Sequence, residues 1–157
     1  MRTLLKLSHA FNAITLIALV SVLIGIVFAE NANFIVQPQK QHVIPIGLQE
    51  TDSVSGSFSV VSDDDTGVDF FVIDPENQTI LRLDNIKQRS FSFIAQATGN
   101  FKLCFDNSIS SDYSKTVALN YSVTHYIMGL PQEQFFLIVI AIVALIGVVV
   151  YVALMPK

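Results

Sequence analysis

The sequence has little charge, one cysteine and no tryptophan. Of its 157 residues, 14% are charged and 52% are apolar, whereas soluble domains carry about a quarter charged residues. The single cysteine, Cys104, excludes an intramolecular disulfide and a cysteine-rich metal site. Basic residues are scarce in the middle of the chain. Positions 30–134 hold 13 acidic and six basic residues, a net charge of −7, which argues against binding to nucleic acid or to anionic lipid.

Both ends of the chain contain a long run without charge, Ala13–Ala29 and Phe135–Met155. The first run follows Arg2 and Lys6 and ends in Val27-Phe28-Ala29. A basic start, an apolar middle and small residues before the cleavage point are typical of a secretory signal peptide. Residues 1–29 are therefore predicted to be a signal peptide cleaved after Ala29, with an uncleaved anchor helix as the alternative.

The second apolar run predicts a transmembrane helix over residues 132–155. Its 21 apolar residues would extend about 31 Å as a helix, close to the ~30 Å hydrocarbon core of a bilayer. Lys157 follows the run, and positive-inside reasoning places it in the cytoplasm together with Pro156. The expected topology is single-pass type I, with the domain exported or lumenal. The compartment would be the endoplasmic reticulum or Golgi in a eukaryote and the cell membrane in a prokaryote. An uncleaved first segment would make two spans.

The exported segment, residues 30–131, reads as strands. Alternating apolar and polar residues predict one buried and one exposed face, and seven such segments occur, near 42–48, 54–61, 68–74, 79–83, 90–96, 101–106 and 116–127. The segment Val68–Ile73 is more uniformly apolar, which predicts a central strand covered on both faces. Asp63–Gly67 is predicted to be a hairpin tip, and Asp74–Asn77 a turn. Short strands with regular turns favour an all-β antiparallel sandwich of seven or eight strands.

Three sequence blocks form a recognisable series: VDFFVIDPENQTIL (68–81), TGNFKLCFDNSIS (98–110) and KTVALNYSV (115–123). Together they resemble the GOLD domain of the emp24/gp25L (p24) family. The motif positions are a D-P turn, a G-x-(F/Y)-x-(F/L)-C-F-x-N segment and a lysine that introduces the closing strand; here they are Asp74, Pro75, Gly99, Cys104, Phe105, Asn107 and Lys115. The resemblance implies a GOLD-like sandwich in a type I membrane protein that acts as a cargo or coat adaptor in vesicles of the early secretory pathway.

The sequence departs from the family pattern in three respects. The family usually has a second cysteine that pairs with the one in the C-F motif, a coiled-coil stretch before the membrane, and a tail with aromatic and dilysine signals. Here Cys104 is alone, about ten residues separate Val123 from Phe135, and Pro156-Lys157 follow the apolar run. A coat-binding role therefore lacks its residues. Protein partners are expected through the sandwich and the span, including a hetero-oligomer. The alternative function is that of a structural or accessory subunit of a multisubunit membrane complex.

The sequence favours a binding protein without a cofactor over an enzyme. No nucleophile stands beside a base in a recognisable pattern. Alternation places Cys104 with Lys102 on one face of its strand and Leu103 with Phe105 on the other, and Cys104 is expected to be a small, partly buried core thiol. Asp63, Asp64 and Asp65 are a candidate calcium loop, but successive side chains diverge, which favours a solvated tip without metal. Asn77 and Asn120 begin N-x-[ST] sequons and are candidate glycosylation sites, with Asn120 expected to be less accessible in mid-strand.

Overall fold

The structure, a computed structural model, describes residues 29–153, and alternating apolar and polar residues build eight strands in residues 29–125. The described residues divide into two units, 29–125 and 126–153. The first unit contains β1 (Ala29–Val36), β2 (Gln41–Leu48), β3 (Ser53–Val61), β4 (Val68–Ile73), β5 (Thr79–Ile86), β6 (Gln88–Ile94), β7 (Gly99–Asp106) and β8 (Lys115–Thr124). All seven predicted strands are present, with ends that shift by up to a few residues.

The eight strands form two four-stranded antiparallel sheets. Sheet 1 has the order β1-β8-β3-β6, and sheet 2 has the order β2-β7-β4-β5. The inner faces of the two sheets supply one hydrophobic core, as sandwich architecture requires. The predicted all-β antiparallel sandwich is confirmed. Strands β6 and β5 are edge strands that follow each other along the chain but belong to different sheets.

A cluster of phenylalanines joins the two sheets at the centre of the core. Phe58 and Phe91 come from sheet 1, and Phe70 and Phe105 come from sheet 2. The ring centroids of Phe70 lie 4.7 Å from Phe91, 4.9 Å from Phe105 and 5.0 Å from Phe58. Each fully buried ring contributes about 1.5–3 kcal/mol through removal of apolar surface from water, so this cluster is a main source of the cohesion between the sheets.

Strand β1 was not among the predicted strands. It pairs with β8 along its whole length, from Ala29 opposite Ser122 to Val36 opposite Lys115. The Tyr121 hydroxyl donates to the Glu30 carboxylate across this pair, and burial, together with Glu30, raises the pKa of Tyr121 to about 12. The sequence of β1 hides its alternation because only Phe34 and Val36 are large apolar residues on its inner face.

Two predictions about the connections and faces were wrong. Asp63–Gly67 is not a hairpin tip, since β3 and β4 belong to different sheets and the segment passes from one to the other. Strand β4 is central, as predicted, but no third layer covers its outer face within residues 29–125: Phe71 is only half-buried there. The Arg82 guanidinium lies 5.6 Å from the Phe71 ring centroid and shields it in part.

The second unit begins with a minimal hairpin and continues as a helix. Strands β9 (Tyr126–Ile127) and β10 (Leu130–Pro131) flank Met128 and Gly129, whose φ values of 53° and 78° suit a two-residue hairpin turn. Helix α1 (Gln132–Ala153) has 22 residues, about 33 Å at 1.5 Å per residue. It is long and apolar enough to cross a membrane. The predicted signal peptide, apart from Ala29, and the predicted tail lie outside the described residues.

Candidate functional site

Lys115 is fully buried at the start of β8 and binds the segment between β3 and β4 that contains Asp63–Asp65, which we term the acidic loop. Its ammonium donates to Asp64 Oδ1 at 2.7 Å, to the Thr66 carbonyl at 2.9 Å and to the Thr66 hydroxyl. The Lys115 ammonium, helped by hydroxyl donors from Ser62 and Thr66, holds the pKa of Asp64 well below its usual range. The motif lysine is therefore an internal clamp, because an ammonium without exposed surface cannot reach a partner.

The acidic loop does not gather its carboxylates around one point. Asp64 binds Lys115, whereas Asp65 Oδ1 lies 3.3 Å from Lys87 Nζ. Between residues 29 and 153 there is no group of three or more His, Cys, Asp or Glu side chains placed to hold a metal ion. Two of the three carboxylates of the candidate calcium loop thus already have ammonium partners on different segments of the chain.

Asn107 connects three segments at one end of the sandwich. Its Nδ2 donates to the Val36 carbonyl at 3.2 Å and to the Tyr113 carbonyl at 2.9 Å. Its backbone nitrogen donates to the Lys40 carbonyl at 3.0 Å. The side chain is completely buried. Its amide donors are satisfied, whereas its Oδ1 has no hydrogen-bond partner among the described residues. The motif asparagine thus fixes the end of β1 to the loops that follow β1 and β7.

The motif residues Pro75 and Gly99 contact each other. Asp74 Oδ1 accepts from Glu76 N at 2.9 Å and from Gln78 N at 2.8 Å, which closes the β4–β5 turn. A Cβ atom at position 99 would lie 2.6 Å from Pro75 Cγ and 2.9 Å from Pro75 Cβ. The proline ring is rigid, so only glycine lets the start of β7 pass this close to the turn.

Cys104 and Phe105 point to opposite faces of β7, as alternation predicts. Phe105 lies in the phenylalanine cluster, and Cys104 lies on the outer face of sheet 2 between Val43 and Phe71 on the neighbouring strands. The thiol is 1% exposed, and burial raises its pKa. A buried thiol that ionises less readily than usual has the character of a packing residue and not of a nucleophile.

The two sequons are both exposed. Asn77 lies in the β4–β5 turn at a φ of 61°, and its Oδ1 accepts from Lys102 Nζ at 3.4 Å. Asn120 lies on the outer face of sheet 1, where its Nδ2 donates to Asn31 Oδ1 at 2.7 Å. Asn120 is exposed although it lies in mid-strand, because its strand presents this side chain to solvent. Glycosylation of either residue stays a prediction.

The outer face of sheet 1 carries small, uncharged side chains where β8, β3 and β6 lie side by side. A shallow depression of about 510 Å³ crosses β8, β3 and β6, with Gly56 in its floor. Its polar side chains are Ser55, Ser57, Ser90, Ser92, Asn120 and Ser122. The alternation of serine with apolar residues predicted this exposed face of β3 and β6, but only the sheet order brings the β8 residues beside them.

A second cavity, which we term the edge groove, opens between the edge strands β5 and β6. It has a volume of about 440 Å³ and contains apolar and acidic groups. Its apolar side chains are Ile80, Phe93, Ile94 and Phe101, and its carboxylates are Asp74 and Glu76. Ile80 and Ile94 are 41% and 63% exposed. The groove therefore offers open apolar surface beside negative charge.

Sequence reasoning missed a buried carboxylate near the end of β8. Asp52 is 1% exposed, and its Oδ2 lies 2.8 Å from His125 Nδ1 and accepts from Gln49 N at 2.8 Å. The other oxygen, Oδ1, has no hydrogen-bond partner in this region of the sandwich. Nothing in the spacing of residues 52 and 125 indicates this contact, which depends on the pairing of β3 with β8.

Comparison with known proteins decides the family. The family model described as emp24/gp25L/p24 family/GOLD matches residues 31–134, which is the sandwich and the start of α1. The chain belongs to the emp24/gp25L/p24 family. This assignment confirms the resemblance carried by the D-P turn, the C-F motif and the lysine of the closing strand.

A curated p24 protein and two solved structures are similar to this family member. The chain is 33% identical over 93 residues to "Transmembrane emp24 domain-containing protein p24beta3" from Arabidopsis thaliana. That match covers 55% of this chain and 41% of the relative, so it spans less than half of the relative's length.

Among solved structures, PliG of Aeromonas hydrophila, a periplasmic lysozyme inhibitor of g-type lysozyme, has 12% identity and a TM-score of 0.48 over 62% of this chain and 87% of that chain. The Yersinia pseudotuberculosis-derived mitogen has 14% identity and a TM-score of 0.46 over 68% of this chain and 99% of that chain. Neither likeness bears on function.

Within this p24-family chain, the motif residues serve the fold. Lys115 and Asn107 are buried clamps between segments, Gly99 permits a close approach, and Phe105 is part of the core. Their side chains are turned inward or occupied by contacts within the chain. Of the motif residues, Asp74 also borders the edge groove, and the other open surface described above is the outer face of sheet 1.

Proposed function

We propose that this chain is a membrane-anchored, non-enzymatic protein-binding module that selects cargo or acts as an adaptor in vesicle transport of the secretory pathway. The observation that carries the proposal is the p24/GOLD match over residues 31–134 with an apolar helix of membrane-spanning length at Gln132–Ala153. The sandwich would face the exported or lumenal side, and the helix would hold it in the bilayer.

The surfaces of the sandwich support a binding role for this proposed module. Edge strands present unpaired backbone groups that can accept another strand, and the ends of both sheets are of this kind in the sandwich. The net charge of −7 between residues 30 and 134 favours partners with a basic surface and would speed their encounter. The apolar helix also offers a lipid-embedded surface for partner helices.

Cross-linking in the native membrane tests the proposed role directly. The full chain is expressed at natural levels, cross-linked in intact cells, and its neighbours are identified by mass spectrometry. The proposal expects exported proteins as neighbours, in substoichiometric amounts that vary with the secretory load. The matched control carries the same residues 126–157 beneath an unrelated exported domain and should lose these neighbours. A fixed, stoichiometric complex of integral membrane subunits would instead support the accessory-subunit alternative and contradict cargo selection.

The topology needs a separate measurement. N-terminal sequencing of the membrane-extracted protein should find Glu30 as the first residue if the signal peptide is removed after Ala29. Protease added to the cytosolic side of sealed microsomes should leave the sandwich intact and should digest it once detergent has opened the membrane. Digestion only from the cytosolic side would contradict the exported location and the cargo role with it.

A further inference from the structure

The free edge of β6 borders the edge groove and has unpaired backbone groups. Two hydrogen bonds show which residue pairs of the β3–β6 ladder are hydrogen-bonded. Ala95 N donates to the Asp52 carbonyl at 2.8 Å, and Val60 N donates to the Lys87 carbonyl at 2.7 Å. Bonded and non-bonded pairs alternate along an antiparallel ladder. The backbone N–H and C=O groups of Ser90, Ser92 and Ile94 therefore point away from β3, toward the open side of the sheet.

A strand added to this edge would place alternate side chains in the groove. Residues of a strand point alternately to the two faces of its sheet, so every second side chain of an added strand would face the interior side, where Phe93 and Phe101 stack with centroids 6.0 Å apart. Ile80 and Ile94 add exposed apolar surface beside these rings. The site thus suits an extended segment with apolar residues at alternate positions.

The acidic groups of the groove favour a basic partner. Asp74 and Glu76 take part in no ion pair with a side chain of residues 29–153, and Lys102, which reaches this turn, donates to Asn77 instead. A second copy of the sandwich, residues 29–125, would bring its own net charge of −6, which disfavours self-pairing at this edge. A lysine or arginine next to the added strand would complement the two carboxylates.

We propose that the edge groove binds an extended, apolar segment of an exported protein that carries a lysine or arginine, and that this segment adds as a strand to the free edge of β6. The inference rests on the proposed binding function and assigns its site and the chemistry of its partner. The backbone of β6 supplies affinity, and the phenylalanine floor and the two carboxylates supply selectivity.

Peptide binding to the full chain in detergent or nanodiscs tests the strand addition. The probe is a short fluorescein-labelled peptide in which valine and threonine alternate and two lysines follow, measured by fluorescence anisotropy. Ser92→Pro removes an N–H that faces the free edge and should weaken binding about tenfold or more. The matched variant Ser92→Ala retains this N–H and should bind within about twofold of the unmodified protein. Equal binding by Ser92→Pro and Ser92→Ala would overturn strand addition.

Two further measurements use altered peptides. The first tests strand pairing without a protein variant that could misfold, and the second tests the role of the two carboxylates in the groove. A peptide with N-methylated valines should fail to bind the unmodified protein, because the methyl groups block strand pairing from the ligand side. A peptide with glutamates in place of the lysines should bind about tenfold more weakly. The double variant Asp74→Asn with Glu76→Gln, which retains the oxygen acceptors of the turn, should abolish this preference. A preference that persists in the double variant would refute the role of the carboxylates.

Failure of this site is distinguishable from failure of the proposed function. If exported neighbours cross-link equally to the unmodified protein and to Ser92→Pro, the edge groove is not their site although the module still binds them. If no exported neighbours cross-link to the unmodified protein, the proposed function itself fails. Self-association lost in Ser92→Pro would identify a second copy as the occupant and overturn the assignment of a basic partner.

Discussion

The register of β2 and β7 predicts that Val43→Cys will form a disulfide with Cys104. The two residues are direct cross-strand neighbours, and the hydrogen bond from Asn107 N to the Lys40 carbonyl makes theirs a non-hydrogen-bonded pair. The Cα atoms of such pairs lie about 4.5 Å apart, within the ~4.4–6.8 Å range of disulfides.

The expected stabilisation follows from the length of the loop that the bond closes. About 60 residues separate positions 43 and 104, and the chain-entropy relation gives about 4 kcal/mol for a loop of that length. In a domain of this size, each kcal/mol raises the melting temperature by about 4–8 °C. Val43 is 42% exposed, so the reduced variant should lie within about 0.5 kcal/mol of the unmodified protein.

Thermal and urea unfolding of the full chain, with and without reductant, measures this effect. Mass spectrometry reports the bond as the loss of two hydrogens in the oxidised variant. Ile44→Cys is the matched control, since its side chain faces the core and cannot reach Cys104. An oxidised Val43→Cys protein that retains two free thiols, or that melts at the same temperature as its reduced form, would refute the register or the entropic reasoning.

Three other predictions concern the clamp, the close approach and the core. Lys115→Met leaves the Asp64 carboxylate without its ammonium, so the unfolding midpoint at neutral pH should fall. The pKa of Asp64 in the folded protein lies below its ordinary value of 3.8, so the pair's contribution to the free energy of unfolding is complete above about pH 4 and is lost as the pH falls further. Urea midpoints measured over a pH series should therefore decrease less steeply at acid pH in Lys115→Met than in the unmodified protein. Equal slopes in the two proteins would contradict a stabilising Lys115–Asp64 pair. Gly99→Ala should lower the free energy of unfolding by about 1–3 kcal/mol, because the added methyl group would collide with Pro75. An unchanged urea midpoint would show that the turn moves to accommodate the methyl group. Phe105→Ala should lower the free energy of unfolding by about 3–5 kcal/mol. A loss of less than about 1 kcal/mol in the same assay would contradict the central role of Phe105 in the core.

The sequence predicts strands well where large apolar residues alternate with small polar ones. Strand β3 alternates Val54, Phe58 and Val60 with serines, and its burial follows this pattern. Strand β1 escapes prediction because alanine and glutamate occupy inner-face positions, and its identity as a strand depends on β8. Alternation is a local property, whereas membership of a sheet is decided by partners distant in the chain.

The same limit applies to the candidate sites. The seven motif positions were found by resemblance, and their physical roles follow from contacts such as Lys115 to Asp64, which joins positions 51 residues apart. The hairpin predicted at Asp63–Gly67 failed because turn chemistry does not reveal whether the chain returns to the same sheet. The edge groove has no local signature, since it forms between the start of β5 and the end of β6, which belong to different sheets.

The pairing of β1 with β8 sets an order of events in synthesis. The first strand of the sandwich has its only sheet partner in the last one, so the nascent chain must wait, with the inner face of β1 uncovered, until nearly the whole domain has left the ribosome. Pairing between strands so distant in the chain slows folding and prolongs the time during which apolar surface is exposed to solvent. A chaperone that binds segments as they emerge would therefore act on β1 before any other part of this domain.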